Sequence, residues 1–224
     1  MRGDKIDAGR RSAFLIAAMV VLTGCSITPR PTFIEIVPER AAASASHTRE
    51  RAVYIRVVKD LRQFTLNASV PQVPSLSSVT ALDPKQTATA VAQIRTATGT
   101  VFADVFLKDG KTAATLIKDA TADAFSRAGY RVVDSASAPT DIPVDVDILQ
   151  FWAYNTGSWT FKFTAVIETQ IRSDVPAVAP DNKISNTLSL QSAVAASPTS
   201  FRNTVTRALE QYTQDLSAEL TKKR

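Results

Sequence analysis

The clearest pattern in the chain is an alternation. Trp159, Phe161, Phe163, Ala165, Ile167, Thr169 and Ile171 occupy every second position, with Thr160, Lys162, Thr164, Glu168 and Gln170 between them. Residues two apart on an extended chain share a face, so this run reads as a strand with one dry and one wet side. Ile142, Val144, Val146 and Ile148 alternate in the same way with Asp145 and Asp147. Asn155-Thr156-Gly157-Ser158 lies between the two runs and supplies turn residues. The pair therefore reads as an antiparallel hairpin. Val53, Ile55 and Val57 mark an earlier strand over 52–58, and further strands are expected over 101–107, 130–133 and 187–194. Residues 66–90 are rich in Ser, Thr, Pro and Ala and read as loop, with a short helix opened by Asp83-Pro84.

Two segments change period. Leu116, Ile117, Ala120, Ala124 and Ala128 recur at three and four residues, which predicts an amphipathic helix over 112–128. Gly129 stands where a left-handed cap belongs, with Tyr130 as its apolar companion. The last helix opens at Ser197, a cap residue, with Pro198 in its first turn. Phe201, Val205, Ala208, Leu209, Tyr212, Leu216 and Leu220 form its apolar stripe, and Lys222-Lys223-Arg224 suits the negative end of its dipole. Two such helices need a common floor. The expected fold is an α+β two-layer sandwich, with a mostly antiparallel sheet and both helices on one face.

The first residues follow neither period. Arg10 and Arg11 precede an uninterrupted apolar and small stretch over 12–24. It is shorter than the roughly 20 residues needed to cross a bilayer and has the size of a signal-peptide core. It closes on Leu22-Thr23-Gly24-Cys25, which has the form of a lipobox. In that chemistry the Cys25 thiol accepts a diacylglyceryl group, small Thr23 and Gly24 admit the peptidase, and the new α-amino group is acylated in turn. A plain secretory signal with a chance cysteine is the competing reading. Cys25 is the one cysteine in the chain, so no intrachain disulfide forms, and lipidation explains a lone thiol sent to an oxidising compartment. Two or three acyl chains anchor firmly where one does not. Ser26, rather than Asp, points to the outer membrane ahead of the inner one. The expected organisation is a signal peptide over 1–24, a lipidated N-terminus and Pro/Ala/Ser-rich tether over 25–51, and a periplasmic α+β domain over 52–224. The tether carries an extended piece over 32–37.

Composition then narrows the function. The chain has 224 residues, 45% hydrophobic and 21% charged, as a globular protein does. Its net charge is +5, of which Arg2, Lys5, Arg10 and Arg11 against Asp4 and Asp7 put +2 in the leader. The remaining +3, without a basic run, argues against a nucleic-acid partner.

Reactive side chains are few. His47 is the single histidine and has no acidic or cysteine partner at ligand spacing, so no metal site is expected. With Cys25 consumed by lipid, no Cys/His or Ser/His/Asp apparatus is available. Seven glycines offer no phosphate-binding loop, and no cofactor is expected. Asp145 and Asp147 share a strand face, as a cation site, an acid/base pair, or a solvated surface. No third acidic or Asn ligand lies nearby in sequence. Phe151, Trp152, Tyr154 and Trp159 flank the expected turn. They suit a glycan-stacking platform, a partner hot spot or a lipid-dipping surface, or else structural cross-strand pairing.

The order of these features resembles the YajG-like family of uncharacterised bacterial lipoproteins. The resemblance rests on the lipobox ending at Cys25, Pro31-Thr32-Phe33-Ile34-Glu35-Ile36, and Val53-Tyr54-Ile55-Arg56-Val57 with Asp60 and Arg62. It continues through Ala128-Gly129-Tyr130-Arg131-Val132-Val133, the hairpin over 144–171 and the last helix. It implies an outer-membrane type of lipoprotein with an α/β domain and no known activity. The expected function is a non-catalytic accessory or binding protein of the cell envelope, held to the membrane through acyl chains on Cys25 and docked on an envelope protein. A small-ligand or glycan-binding module, an auxiliary subunit of an envelope transport complex, and a hydrolase using Asp145 or Asp147 are the alternatives.

Overall fold

Eight strands share one sheet, and its organising element is a single 15-residue strand. The computed structural model describes residues 29–37, 51–158, 160–180, 183–192 and 196–223. In chain order the elements are β1 (Arg30–Ile34), β2 (Ala52–Asp60), β3 (Thr65–Leu66), β4 (Ser75–Leu76), α1 (Pro84–Thr89), β5 (Ala90–Arg95), β6 (Val101–Leu107), α2 (Ala113–Arg127), β7 (Arg131–Val132), β8 (Ile142–Thr156), β9 (Phe161–Arg172), β10 (Ile184–Ser192) and α3 (Pro198–Lys222). Short 3-10 turns occupy Val79–Leu82 and Pro176–Val178.

The long strand is β8. Along one edge it pairs antiparallel with β9, from Asp145 opposite Arg172 to Thr156 opposite Lys162. β9 pairs onward with β10. The other edge of β8 serves two partners in succession, parallel β2 beside residues 142–148 and parallel β5 beside Ala153 and Tyr154. β7 continues the sheet beyond β2, and β6 then β1 continue it beyond β5.

This arrangement corrects the expectation of a mostly antiparallel sheet. The sheet is mixed: β1/β6, β2/β7, β2/β8 and β5/β8 are parallel, while β5/β6, β8/β9 and β9/β10 are antiparallel. Alternation identifies a strand and its dry face, but the direction of its neighbour is a property of the connections. A second correction concerns the expected tether. Residues 30–34 form an edge strand in register with residues 103–107, and Ile34 and Ile36 are buried in the core. The folded unit therefore includes residues before position 52. β5 alternates Gln93 and Arg95 with Ala92 and Ile94, yet all six of its residues are buried, because these polar side chains are spent on internal hydrogen bonds rather than solvent.

The helices follow the expected signals. Thr112 Oγ1 accepts the Thr115 N–H at the start of α2. At its end Gly129 takes a positive φ of 87°, while the Gly129 and Tyr130 N–H groups donate to the Ser126 and Phe125 carbonyls. That is the Schellman arrangement, open to glycine because it has no Cβ. Ser197 Oγ accepts the Ser200 N–H at the start of α3. α2 and α3 pack side by side and enter one continuous core with the sheet, including Val144, Val146, Ile148, Phe163, Ile167, Phe201, Tyr212 and Leu216. Tyr212 Oη reaches the hydroxyls of Thr121 on α2 and Thr169 on β9, at 3.2 and 3.1 Å.

The opposite sheet face is covered by the segment between β2 and β5. Leu76, Ala81, Ala90 and Phe106 form a second, smaller apolar cluster there. Polar ties secure it: Ser77 N–H and Oγ donate to Asp104, and Gln93 Nε2 donates to the same carboxylate.

Candidate functional site

Two of the four aromatic residues expected around the hairpin turn, Phe151 and Trp152, are buried rather than exposed. Phe151 is 1% exposed and belongs to the main core, and Trp152 is 2% exposed on the other face of β8. Trp152 Nε1 donates to the Pro71 carbonyl at 3.0 Å, and its ring stands edge-on to Phe64 at 5.9 Å. It therefore fastens the covering segment to the sheet. Tyr154 is half-buried. Trp159, like Cys25 and His47, lies outside the described residues. The alternation places Phe151 and Trp152 on opposite faces; burial of both faces of β8 is a tertiary fact.

Asp145 and Asp147 do point to the same side of β8, yet each is engaged by its own arginine. Arg56 makes a two-pronged contact with Asp145, Nε to Oδ1 at 2.9 Å and Nη2 to Oδ2 at 2.6 Å. Arg172 reaches Asp147 at 2.6 Å. The hydrogen bond and charge of Arg56, with Arg172 and Lys59 adding to the field, hold the Asp145 carboxyl below its usual range. A carboxylate lowered by bound cations is ionised across the neutral range and is a poor general acid. No group of three or more His, Cys, Asp or Glu suited to a metal occurs among the described residues.

Arg62 is a polar residue whose role the spacing did not expose. Its side chain is fully buried in the fork where β8 exchanges β2 for β5. Nη1 donates to the Ala90 and Phe151 carbonyls at 2.6 and 3.0 Å. Nε and Nη2 hold both oxygens of Asp60, at 2.8 and 2.7 Å, and Nη2 also donates to the Thr87 carbonyl at 2.8 Å. All five guanidinium protons thus have acceptors. This arginine is a strut of the sheet.

The space among Val91, Phe151, Ala165, Ile167 and Val205 has no room for a water molecule. Open grooves lie at the surface. One of about 360 Å³ runs between α2 and α3, apolar at Ala120 and Leu209 and charged at Asp123, Arg127 and Glu210. Another, of about 470 Å³, is bounded by Lys183, Asp215, Glu219 and Lys222. Both carry opposite charges side by side.

Exposed apolar side chains are distributed unevenly. Phe33 and Phe102 are 60% and 53% exposed. They stand on the sheet face away from α2 and α3, because Ile34, Ala103 and Val105 point into the helix-side core. Leu66, Val70, Val73 and Val79, also exposed, lie in the segment that covers that same face. No described helix is long and apolar enough to cross a membrane.

No family model matches the chain, and no curated protein matches it. Among solved structures it is similar to a Xanthomonas campestris protein of the DUF330 family, at 14% identity and a TM-score of 0.46 over 85% of this chain and 96% of that one. An uncharacterised protein matches at 12% identity and a TM-score of 0.32, over 77% and 98% of the two chains. A candidate lipoprotein from Caulobacter crescentus matches at 10% identity and a TM-score of 0.30, over 49% and 80%. Similarity at this level transfers no activity from one chain to another.

Proposed function

We propose that this protein is a bacterial envelope lipoprotein, anchored through acyl chains on Cys25 and facing the periplasm, which acts as a non-catalytic accessory of an envelope protein. The observation that carries the reading is Leu22-Thr23-Gly24-Cys25 closing a 13-residue apolar segment behind Arg10 and Arg11. The fold is compatible with an anchor there, since the described chain enters the sheet at Arg30. The arrangement of the polar side chains supports a non-catalytic role. Asp145 and Asp147 are paired with arginines, and Arg62 and Asp104 are spent on backbone and cover contacts. The closed space among Val91, Phe151, Ala165, Ile167 and Val205 weighs against a small-ligand cavity there. Ser26 supports the outer membrane as destination, and the order of elements fits a YajG-like lipoprotein.

Cys25→Ala tests the anchor. Metabolic labelling with a fatty-acid analogue and fractionation should show loss of lipid and release from the membrane fraction. A variant that still takes up lipid would refute the reading. In-cell crosslinking with mass-spectrometric identification addresses the accessory role. Absence of any reproducible envelope partner would count against it.

A further inference from the structure

One pole of the domain gathers the ends of several strands. Arg30, which opens β1, pairs with Ala103, so the entering chain passes beside Phe102. β5 runs antiparallel to β6 and ends at the same level, joined to it by the turn over 96–100. β8 runs parallel to β5 and ends there too, with Asn155 clamping the backbone N–H and carbonyl of Arg95. The covering segment also reaches this pole, since Arg95 donates to the Ala68 carbonyl at 2.5 Å and to the Gly99 carbonyl at 3.2 Å.

Among the described residues, charge at this pole is one-sided. Residues 26–34, 63–82, 96–103 and 155–167 contain no Asp or Glu. Arg30 and Lys162 are exposed at this same end of the sheet, Arg30 at the start of β1 opposite Ala103 and Lys162 on β9 opposite Thr156, while Phe102 and Val70 are exposed apolar side chains. The wider region is depleted of charge as well. Residues 63–107 would hold about nine charged side chains at the chain average of 21% but hold four. Two of those, Arg95 and Asp104, are buried. A surface with exposed aromatic and aliphatic side chains, cations and no anions is complementary to an anionic lipid headgroup layer, and brings no carboxylate that would need desolvation.

Covalent reach selects the occupant. Cys25 lies four residues before Pro29, a span of at most about 14 Å when fully extended. A folded unit of this size has a radius of gyration of about 15 Å. The acyl chains therefore hold this pole, rather than the far one, against the bilayer.

We infer that the pole bearing Phe102, Val70, Arg30 and Lys162 rests on the phospholipid surface in which Cys25 is anchored, giving the domain a fixed orientation on the membrane. This rests on the reading of Cys25 as a lipidated residue.

Because thioether formation consumes Cys25, an added cysteine is the single free thiol of the mature lipoprotein. Phe102→Cys and Val70→Cys, with Lys118→Cys on α2 as control, are labelled with an environment-sensitive dye in the full lipidated protein. Each is reconstituted in phosphatidylethanolamine/phosphatidylglycerol vesicles that carry nitroxide-labelled lipid. Positions 102 and 70 should be quenched several-fold more than position 118. Intact mass separates the two ideas. An acylated protein whose three positions quench equally overturns the orientation and leaves the anchor standing. Position 102 shielded from aqueous iodide without lipid quenching overturns it in favour of a protein contact. A protein without acyl mass on Cys25 overturns both.

Discussion

Arg62 offers the sharpest test of how the sheet is held together. Replacing it with Met keeps an unbranched apolar stem in the fork and removes every donor. The Ala90 and Phe151 carbonyls then lose partners at 2.6 and 3.0 Å in a site closed to water. An unsatisfied buried acceptor costs about 1–3 kcal/mol. Contact of the guanidinium with the Phe64 ring, 5.0 Å from its centroid, adds about 0.5–1 kcal/mol. The side chain of Asp60 is 24% exposed, so water replaces part of what it loses. Relief from burying a cation offsets some of the total, and removal of one partner of a buried pair nets roughly 3–5 kcal/mol. For a domain of this size that is a fall in Tm on the order of 10 °C. The comparison is Arg56→Met, which deletes a pair whose arginine side chain is 54% exposed and should shift Tm far less, since exposed pairs add little. Arg62→Lys restores the charge but not the fork and should fall between. Thermal unfolding of the three variants by circular dichroism decides the matter. If Arg62→Met and Arg56→Met lower Tm equally, the guanidinium does not bridge the change of partner along β8.

Two further predictions concern titration and the helix layer. Asp141 accepts the Ser137 and Ala138 N–H groups and the Ser137 hydroxyl, at 2.7, 2.8 and 2.9 Å, and these bonds hold its carboxyl below the usual value of 3.8; Asp145 is lowered by Arg56. A carboxyl lowered in the folded state contributes stability that is complete above its unfolded pKa and is lost as pH falls through the folded one. Denaturant midpoints should therefore be level from pH 7 to about 5 and drop below about pH 4, more steeply in the native chain than in Asp141→Asn/Asp145→Asn, and parallel curves would disprove the assignment. Tyr212→Phe removes the hydroxyl that links Thr121 to Thr169 and should cost about 1–2 kcal/mol in chemical denaturation. Burial raises the Tyr212 pKa above its ordinary 10.0, so its folded-state contribution is complete below pH 10 and fades as pH rises. The variant should lose that alkaline dependence, and an unchanged alkaline limb would refute the linkage.

The candidate site shows where reading residues in order succeeds and where it stops. The α3 stripe, from Phe201 to Leu220, is buried residue by residue as its spacing implies, because a lone amphipathic helix has one way to hide its apolar side. Gly129 likewise reports its own left-handed backbone. The aromatic pair Phe151 and Trp152 misled for the opposite reason. Their neighbours include turn residues and polar side chains, which suggests a surface, but a segment about 80 residues earlier in the chain folds over Trp152. Arg62 is equally silent in sequence, since its acceptors come from residues 60, 87, 90 and 151.

By itself, the sequence determined the local periods, the helix caps, the dry face of the β8–β9 hairpin and the lipobox-like pattern of Leu22-Thr23-Gly24-Cys25. Each of these is written within a window of one element, where backbone geometry or the chemistry of one side chain is enough. The tertiary structure alone decided that the sheet is mixed, that residues 30–34 belong to it and that both faces of β8 are covered. It also brought the start of β1, the turn between β5 and β6 and the end of β8 to one pole, where Phe102 is exposed. Those properties depend on which distant segments become neighbours, and strand alternation looks the same whichever direction the neighbouring strand runs.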